Sequence, residues 1–562
     1  MAYEGNVSQT KSYRRVLRHV TTGFAALIVF LALTVPDQIT RLPPGNSVFT
    51  ALLRVPVEAL IAGAILLLLP ERGRLGRFRR PLVVGLGVLL GLLTVIKMID
   101  IGFFAVLARP FNPVLDWILI DDGFNFLTDS IGRPATIGLT AVAGLLTVAL
   151  VAGMTGAVVR LSAVLRANRV RSWRGLGAAG AAWTALAALG VQLIAGLPVA
   201  SHAAADLAAQ TALAIPNDLA DRKRFAAEVQ VDAYREQPGT QLLTALRDKD
   251  VTISFIESYG RTSIENPEFN GAILDSLATH RTRLAAQGYA ARSGYLTSPT
   301  ITSGSWLAHS TFMSGLWIDN EQRYRSLVAT DRLTLTKAFK KAGHRTVGVE
   351  PGVVFAWPEG DFYGYDQIYD SHALAYRGPK FGWSPMPDQY VMSEFQKREY
   401  GKANRGPLLS EITLVSSHAP WAPTPTMLDW DTLGDGSVYG PMAASVPSTK
   451  EVWKDDARVR QEYAKSVAYS LDSLLGHLER YGNDDTVMVF LGDHQASSVI
   501  VGTNASRDVP ITIVAKDPKI LDRVASWGWT DGLKPDPAAP VWRMDTFRDR
   551  FLAAFGPEGD PH

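Results

Sequence analysis

Long apolar runs crowd the first 200 residues, and they constrain this chain more than any other feature. They fall near His19–Pro36, Ser47–Pro70, Pro81–Ala108, Ala135–Val159 and Leu176–Ala200. About 20 apolar residues span a bilayer as a helix, the one open-chain form that satisfies its own backbone in hydrocarbon. Buried helices of a soluble core would show a polar face, which these runs lack. Further runs behind the first also argue against a cleaved signal peptide. A five-helix transmembrane bundle is therefore expected over residues 1–200.

Basic residues orient the bundle. Lys11, Arg14, Arg15 and Arg18 precede the first run, Arg72, Arg74, Arg77, Arg79 and Arg80 follow the second, and Arg160, Arg166, Arg169, Arg171 and Arg174 follow the fourth. The intervening loops hold Arg41, Arg109 and Arg133 with Asp116, Asp121, Asp122 and Asp129. Positive loops stay in the cytoplasm. The N-terminus is thus expected inside the inner (plasma) membrane, and the chain beyond Ala200 in the periplasm or extracellular space. Two charged pairs sit within the runs, Arg54 with Glu58 and Lys97 with Asp100. At helical spacing each pair meets on one face. They are expected in the outer half of the bilayer, as a network between spans or as a holder of a lipid headgroup. Phe111–Ile131 mixes aromatic and acidic residues and is expected at the interface. Ser201–Asp250 reads as a juxtamembrane connector whose helices break at Pro216 and at Pro238-Gly239.

From Val251 the pattern changes to short β-rich runs alternating with helical ones. The runs Val251–Ile256, Arg345–Val349, Glu411–Val415, Thr486–Leu491 and Val509–Val514 are expected as strands, and Leu333–Ala342 and Tyr463–Tyr481 as helices. This alternation predicts an α/β sandwich over residues 251–562, with a mostly parallel sheet between helical layers. Ligands in such sheets sit beyond the carboxyl ends of the strands. Glu257, Glu350, His418 and Asp493-His494 all stand there.

Asp493-His494 offers a carboxylate and an imidazole side by side, and Glu257 offers a second carboxylate. These are ligands for Mn²⁺, Zn²⁺ or Mg²⁺. The chain has no cysteine, which excludes disulfides, thiolate metal sites and thiol nucleophiles. A net charge of +2 carries no global nucleic-acid signal. Ser298–Gly315 is dense in hydroxyls. Gly304 permits a sharp turn that places Ser305 at a helix N-terminus, where free N–H groups favour an anion. Thr302 and Ser303 are rival nucleophiles by spacing alone. His309, one turn on from Ser305, either orients the site or packs in the core. His418, in His418-Ala-Pro-Trp421, is placed to bind a phosphate oxygen or pass a proton to a leaving alkoxide.

These stretches (FIES with Glu257, SGSWLAH with Ser305, SSHAPW with His418, LGDHQ with Asp493 and His494) resemble the alkaline-phosphatase/sulfatase superfamily. More narrowly, the chain is similar to lipoteichoic acid synthase and to the phosphoglycerol and phosphoethanolamine transferases. The resemblance covers roughly residues 249–518 and the membrane anchor. It implies one metal, Mn²⁺ first, on Glu257, Ser305, Asp493 and His494. Ser305 is then the nucleophile and His418 the phosphate ligand. Trp357, Glu359 and His309 fall among the substrate contacts. A headgroup would pass from a membrane phospholipid, through the serine, to an envelope glycan or glycolipid, with no nucleic-acid partner. An anchored phosphodiesterase or phospholipase is the alternative, and a non-catalytic envelope-binding protein the alternative of another class.

Two departures from the family pattern stand out. The synthases carry Trp-x-Arg where this chain reads Trp357-Pro358-Glu359, which puts phosphoglycerol recognition in doubt and leaves phosphoglycerol and phosphoethanolamine both open, with Glu359 able to face an ammonium headgroup. The modified Cys or Ser with its following Arg, needed for sulfate esters, is missing.

Overall fold

The computed structural model describes residues 2–39, 52, 54–68, 76–107, 111–112, 115–117, 119–194, 197–502 and 505–557. The chain forms two compact units, Met1–Ala105 with Arg109–Ala220, and Val106–Ala108 with Asp221–His562.

The first unit contains helices α1 (Ala2–Ile39), α2 (Val57–Leu68), α3 (Arg79–Leu107), α4 (Leu119–Ile131), α5 (Arg133–Ala167) and α6 (Arg169–Ala188). Val16–Thr34, Arg79–Phe103 and Arg133–Ala167 are long and apolar enough to cross a membrane, and they coincide with the first, third and fourth expected spans. The second expected span is represented by α2, a shorter apolar helix of 12 residues. Its flanks 40–51 and 69–75 lie outside the described residues, with Arg41, Arg72 and Arg74, as does Arg109. The fifth differs from expectation. Helix α6 starts at Arg169 and stops at Ala188, because Gly190 takes φ +61, the left-handed helix-ending conformation. Gln192–Ile194 then pairs with Leu197–Pro198 as antiparallel strands.

The first charged pair also departs from expectation. Arg54 lies before α2 and Glu58 lies in its first turn, so they share no helix face. Pro56 sets that boundary, since proline suits the approach to a helix but not its interior. Arg54 Nε donates to the Pro198 carbonyl (3.0 Å), and Glu58 Oε1 accepts from the Ala205 N–H (2.8 Å). Lys97 and Asp100 are both buried on α3. Lys97 Nζ reaches the Ala32 carbonyl (3.4 Å) and Asp100 Oδ1 accepts from the Phe111 N–H (2.7 Å). Helix α7 (Ala203–Glu228) runs through Pro216 without the expected break. Proline there removes only one backbone donor, and the turns on either side keep theirs.

The second unit is built on a nine-stranded sheet. Its strands are β1 (Asp250–Ile256), β2 (Ala290–Thr297), β3 (Arg345–Glu350), β4 (Gln367–Asp370), β5 (Leu408–Leu414), β6 (Thr486–Gly492), β7 (Asp508–Ala515), β8 (Thr530–Asp531) and β9 (Val541–Arg543). The order is β8-β2-β7-β6-β1-β5-β3-β4, with β9 paired to β2. From β6 to β4 every pairing is parallel. Strand β7 is antiparallel to both β6 and β2, so the sheet is mixed. Strand β2 lies outside the expected runs, because Arg292 and Gly294 interrupt its apolar alternation.

Strands β1, β5 and β6 are buried along their whole length, as expected of central parallel strands covered on both faces. Alternate residues feed two cores. Met488 and Phe490 join one with the helices α8 (Gly271–Ala286), α10 (Asp388–Phe395) and α11 (Asp456–Tyr481). Val487, Val489 and Leu491 join the other with α9 (Ser305–Ser314) and α12 (Phe547–Phe555). In that second core Phe312 stacks on Phe547 at 4.4 Å and meets Phe255 edge-on at 5.4 Å. Each fully buried ring contributes about 1.5–3 kcal/mol, which fixes α9 against the end of β1.

Candidate active site

Sheet register assembles the site. Ile256 of β1 stands opposite Gly492 of β6 and Leu414 of β5. The residues that follow, Glu257 and Asp493, therefore leave the sheet side by side. Ser258 then turns the chain in a left-handed conformation (φ +58) and aims its N–H at Asp493 Oδ1 (2.8 Å). The His494 N–H donates to the same oxygen (2.7 Å). Ser258 Oγ donates to Glu257 Oε1 (2.8 Å), and Tyr463 of α11 holds the Ser258 carbonyl (2.8 Å).

Ser305 reaches this group from the next strand over but one. After β2, the segment 298–304 crosses the strand ends, with Ser298 Oγ donating to the Asp493 carbonyl (2.7 Å). Gly304 takes φ +82, a conformation that suits glycine, and α9 starts at Ser305. Ser305 Oγ donates to Glu257 Oε2 (2.9 Å) and lies 3.3 Å from His494 Nε2. Of the three competing hydroxyls, Ser305 is the one in this group. Thr300 Oγ1 instead binds the Ser303 carbonyl and closes the preceding turn.

The donor set fits a divalent cation. Glu257, Asp493 and His494 offer ligand atoms within 4.8 Å of one another, and all three are buried. His494 Nδ1 donates to the Gln495 carbonyl (2.7 Å), so its Nε2 lone pair faces the carboxylates, as in metal-bound histidines. Asp493 Oδ2 is buried with no hydrogen-bond partner. An unpartnered carboxylate oxygen costs free energy unless a cation or proton meets it. Burial opposes the charge on Glu257, yet His494, His418 and the Ser258 hydroxyl hold its carboxyl down at about 2. Burial and the adjacent Glu257 push Asp493 up to about 7. For His494, burial is outweighed by Asp493 and Glu257, which raise it. Two carboxylates and a histidine thus compete for a shared proton, the competition that a bound dication removes.

The remaining sequence-derived residues occupy different positions. His418 is close enough to stabilise the Glu257 charge, and its ring stacks on Trp383 at 3.9 Å. His309 stacks on Phe255 at 3.8 Å, and burial pushes it down to about 3. It packs in the core close enough to Glu257 and His494 to feel their charges, and its Nδ1 lies 4.0 Å from Glu411 Oε1. Trp357 packs on Tyr363 at 5.5 Å, and Glu359 leads into the short helix Gly360–Tyr363. Both lie outside the hydrogen-bonded group. Trp383 carries no motif, and Ser258 enters the sequence reading only as the last residue of FIES. Trp383 is a lone aromatic in a loop, and Ser258 shows its role only through a positive φ.

Fold and site together are those of an alkaline-phosphatase-like α/β domain with a candidate divalent-metal site at its strand ends. Residues 251–507 match the family model described as Sulfatase. No curated protein matches the chain. Among solved structures, the chain is similar to the lipoteichoic acid synthase LtaP from Listeria monocytogenes (15% identity, 60% of this chain and 79% of that one, TM-score 0.38). It is also similar to the phosphoglycerol transferase GacH of Streptococcus pyogenes, in complex with sn-glycerol-1-phosphate (11%, 60% and 89%, TM-score 0.35). A third is the C-terminal periplasmic domain of EcEptC from Escherichia coli, in complex with Zn (10%, 56% and 88%, TM-score 0.36).

Proposed function

We propose that this protein is a membrane-anchored, metal-dependent transferase. It moves a phospho-alcohol headgroup from a phospholipid, through Ser305, to a hydroxyl of an envelope glycan or glycolipid. The observation that carries the reading is the placement of Ser305 Oγ at a helix start, 2.9 Å from Glu257 and 3.3 Å from His494, beside the unpartnered Asp493 Oδ2.

Glu257, Asp493, His494 and Ser305 would hold one divalent ion, Mn²⁺ first. When bound, it supplies charge stabilisation at phosphorus and a lower pKa for the hydroxyl. Ser305 Oγ, its proton released, attacks the phosphodiester phosphorus. The phosphorus–oxygen bond to diacylglycerol breaks, and that oxygen takes a proton from His418. In the second half the acceptor hydroxyl attacks the same phosphorus, returns a proton to His418, and the bond to Ser305 breaks. Free N–H groups at the start of α9 face the phosphoryl oxygens. Trp383 fixes the His418 ring by stacking, so its free nitrogen keeps one direction.

The membrane part brings this site to lipid. Five spans, a cytoplasmic N-terminus and a periplasmic or extracellular catalytic domain remain the reading supported by the basic loops. Glu359, in place of the synthases' arginine, supports an ammonium headgroup such as phosphoethanolamine over phosphoglycerol.

The test is mass spectrometry of the purified full-length protein with Mn²⁺, after incubation with labelled phosphatidylethanolamine or phosphatidylglycerol. A headgroup-phosphate adduct on Ser305, chased into glycan when glycan is added, is expected. Release of free headgroup phosphate with no label in glycan identifies a hydrolase. An adduct on Thr302 instead of Ser305 overturns the nucleophile.

A further inference from the structure

On the α8–α11 face of the sheet lies an open groove of about 1250 Å³. Helices α8 and α11 form its floor, and the loop after His418-Ala-Pro-Trp421 forms a wall that carries Trp430. The groove runs along α11 from Arg458 to Arg480, a rise of about 33 Å at 1.5 Å per residue. At Thr424 its lining reaches the loop that follows His418. Thr424 Oγ1 bonds both the Trp421 carbonyl (3.3 Å) and Glu462 Oε2 (3.2 Å). The next residue, Tyr463, holds the Ser258 carbonyl beside Glu257.

The chemistry of the walls narrows the occupant. Most charges on them are matched in pairs, and Asp275 and Arg458 add one charge of each sign. Lys465 meets Glu462 at 2.8 Å, Arg283 meets Glu479 at 3.6 Å, and Arg480 meets Asp431 at 2.8 Å. His280, on the floor, is clasped by Glu479 (2.5 Å) and Asp472 (3.1 Å). Burial opposes its charge, but these two carboxylates raise it to about 9, so it is a cation that is already matched. A groove for nucleic acid or another polyanion would show unmatched cations along its length. A groove for an acyl chain would be apolar. This one presents donors and acceptors in neutral balance, with the half-buried Trp430 among them, and it exceeds the usual volume of a small-molecule pocket (about 300–1,000 Å³).

We infer that this groove binds the acceptor as a neutral, hydroxyl-rich glycan chain several sugars long, and feeds one end of it toward Ser305. The inference rests on the transferase reading for its role as acceptor site, while glycan binding itself stands apart from that reading. Trp430 offers an apolar face to the C–H side of a sugar ring, and the paired side chains offer hydrogen bonds to its hydroxyls.

The test uses the full-length protein in detergent with a panel of neutral gluco-, galacto-, manno- and arabino-configured hexasaccharides. Binding is followed by tryptophan fluorescence and saturation-transfer NMR, with polygalacturonate as the anionic control. At least one neutral hexasaccharide is expected to bind. Trp430→Ala is expected to weaken it at least tenfold and to leave adduct formation on Ser305 at the wild-type level. Arg458→Ala, at an exposed position in the first turn of α11 at the end of the groove, replaces Trp430→Ala in the comparison if the latter lowers the melting temperature. No binding by any neutral member, equal binding by the variants, or tighter binding of polygalacturonate overturns the inference. Failure of the transferase reading shows separately, as no adduct on Ser305 with hexasaccharide binding intact.

Discussion

A Cβ added to Gly492 would lie 1.8 Å from the carbonyl oxygen of Tyr259. The last residue of β6 therefore lies against the turn that follows Glu257, and the two ligand-bearing loops are locked together at backbone level. A backbone atom cannot swing aside as a side chain would. Gly492→Ala is expected to cost at least the 1–3 kcal/mol of ordinary overpacking, and to separate Asp493 from Glu257. A lowered melting temperature with loss of bound divalent metal, measured by plasma mass spectrometry, checks both effects. An unchanged metal content would show that the turn relaxes without opening the site.

Ser305→Ala and Asp493→Asn are expected to part company. The alanine variant removes the hydroxyl but leaves Glu257, Asp493 and His494, so it retains metal while covalent labelling vanishes and turnover falls at least about 10³-fold. The asparagine variant loses a charged ligand and with it most of the metal. Metal content and adduct mass, measured on the same preparations, separate the two.

Chelation is expected to destabilise the second unit. An ion that binds only the folded site adds about 2.7 kcal/mol at a free concentration of 100 times its Kd. The melting temperature in excess chelator is then lower than with Mn²⁺, and the difference disappears in Asp493→Asn. A melting temperature indifferent to metal in the wild type would count against the site.

His309→Phe is expected to be tolerated. The imidazole is neutral, stacked on Phe255, and its Nε2 is buried without a hydrogen-bond partner. Replacing an unpartnered polar ring by an apolar one removes a desolvation cost. Stability is expected to stay within about 1.5 kcal/mol, as for other shape-conserving swaps, with turnover retained. Collapse of turnover with wild-type stability would give His309 a direct role.

Stability is expected to depend on pH through His280. Its folded pKa, about 9, lies above the ordinary 6.5. The stabilisation is therefore complete below pH 6.5 and is lost as pH rises through 9. At 1.36 kcal/mol per unit the swing is about 3 kcal/mol. Melting curves between pH 6.5 and 9.5 are expected to fall for the wild type and to flatten for His280→Asn.

Much of the catalytic half is legible in the amino-acid sequence itself. Five of its strands follow from apolar runs, since a central strand buried on both faces must be apolar throughout. The candidate ligands Glu257, Asp493 and His494 follow from standing just beyond those runs. Helix α9 follows from Gly304 before a helical pattern. Strand β2 and the reversal of β7 are not legible there, because pairing direction depends on neighbours distant in sequence. The ends of α2 and α6 and the continuity of α7 through Pro216 are hidden for a related reason, as packing and local caps outweigh average hydropathy.

Residue types and local periodicity, which act within a few residues of chain, thus determined which groups are available: apolar helices, strand-end carboxylates, a histidine and a cluster of hydroxyls. Only the tertiary structure decided among them. The register of β1 against β6 set Glu257 beside Asp493, the hydrogen bond from His494 to Gln495 oriented a lone pair, and α9 brought Ser305, rather than its neighbouring hydroxyls, to 2.9 Å from Glu257. Contacts such as that of Ser258 with Asp493, 235 residues apart, arise from closing a sheet and packing helices on it, and no local pattern encodes their distances.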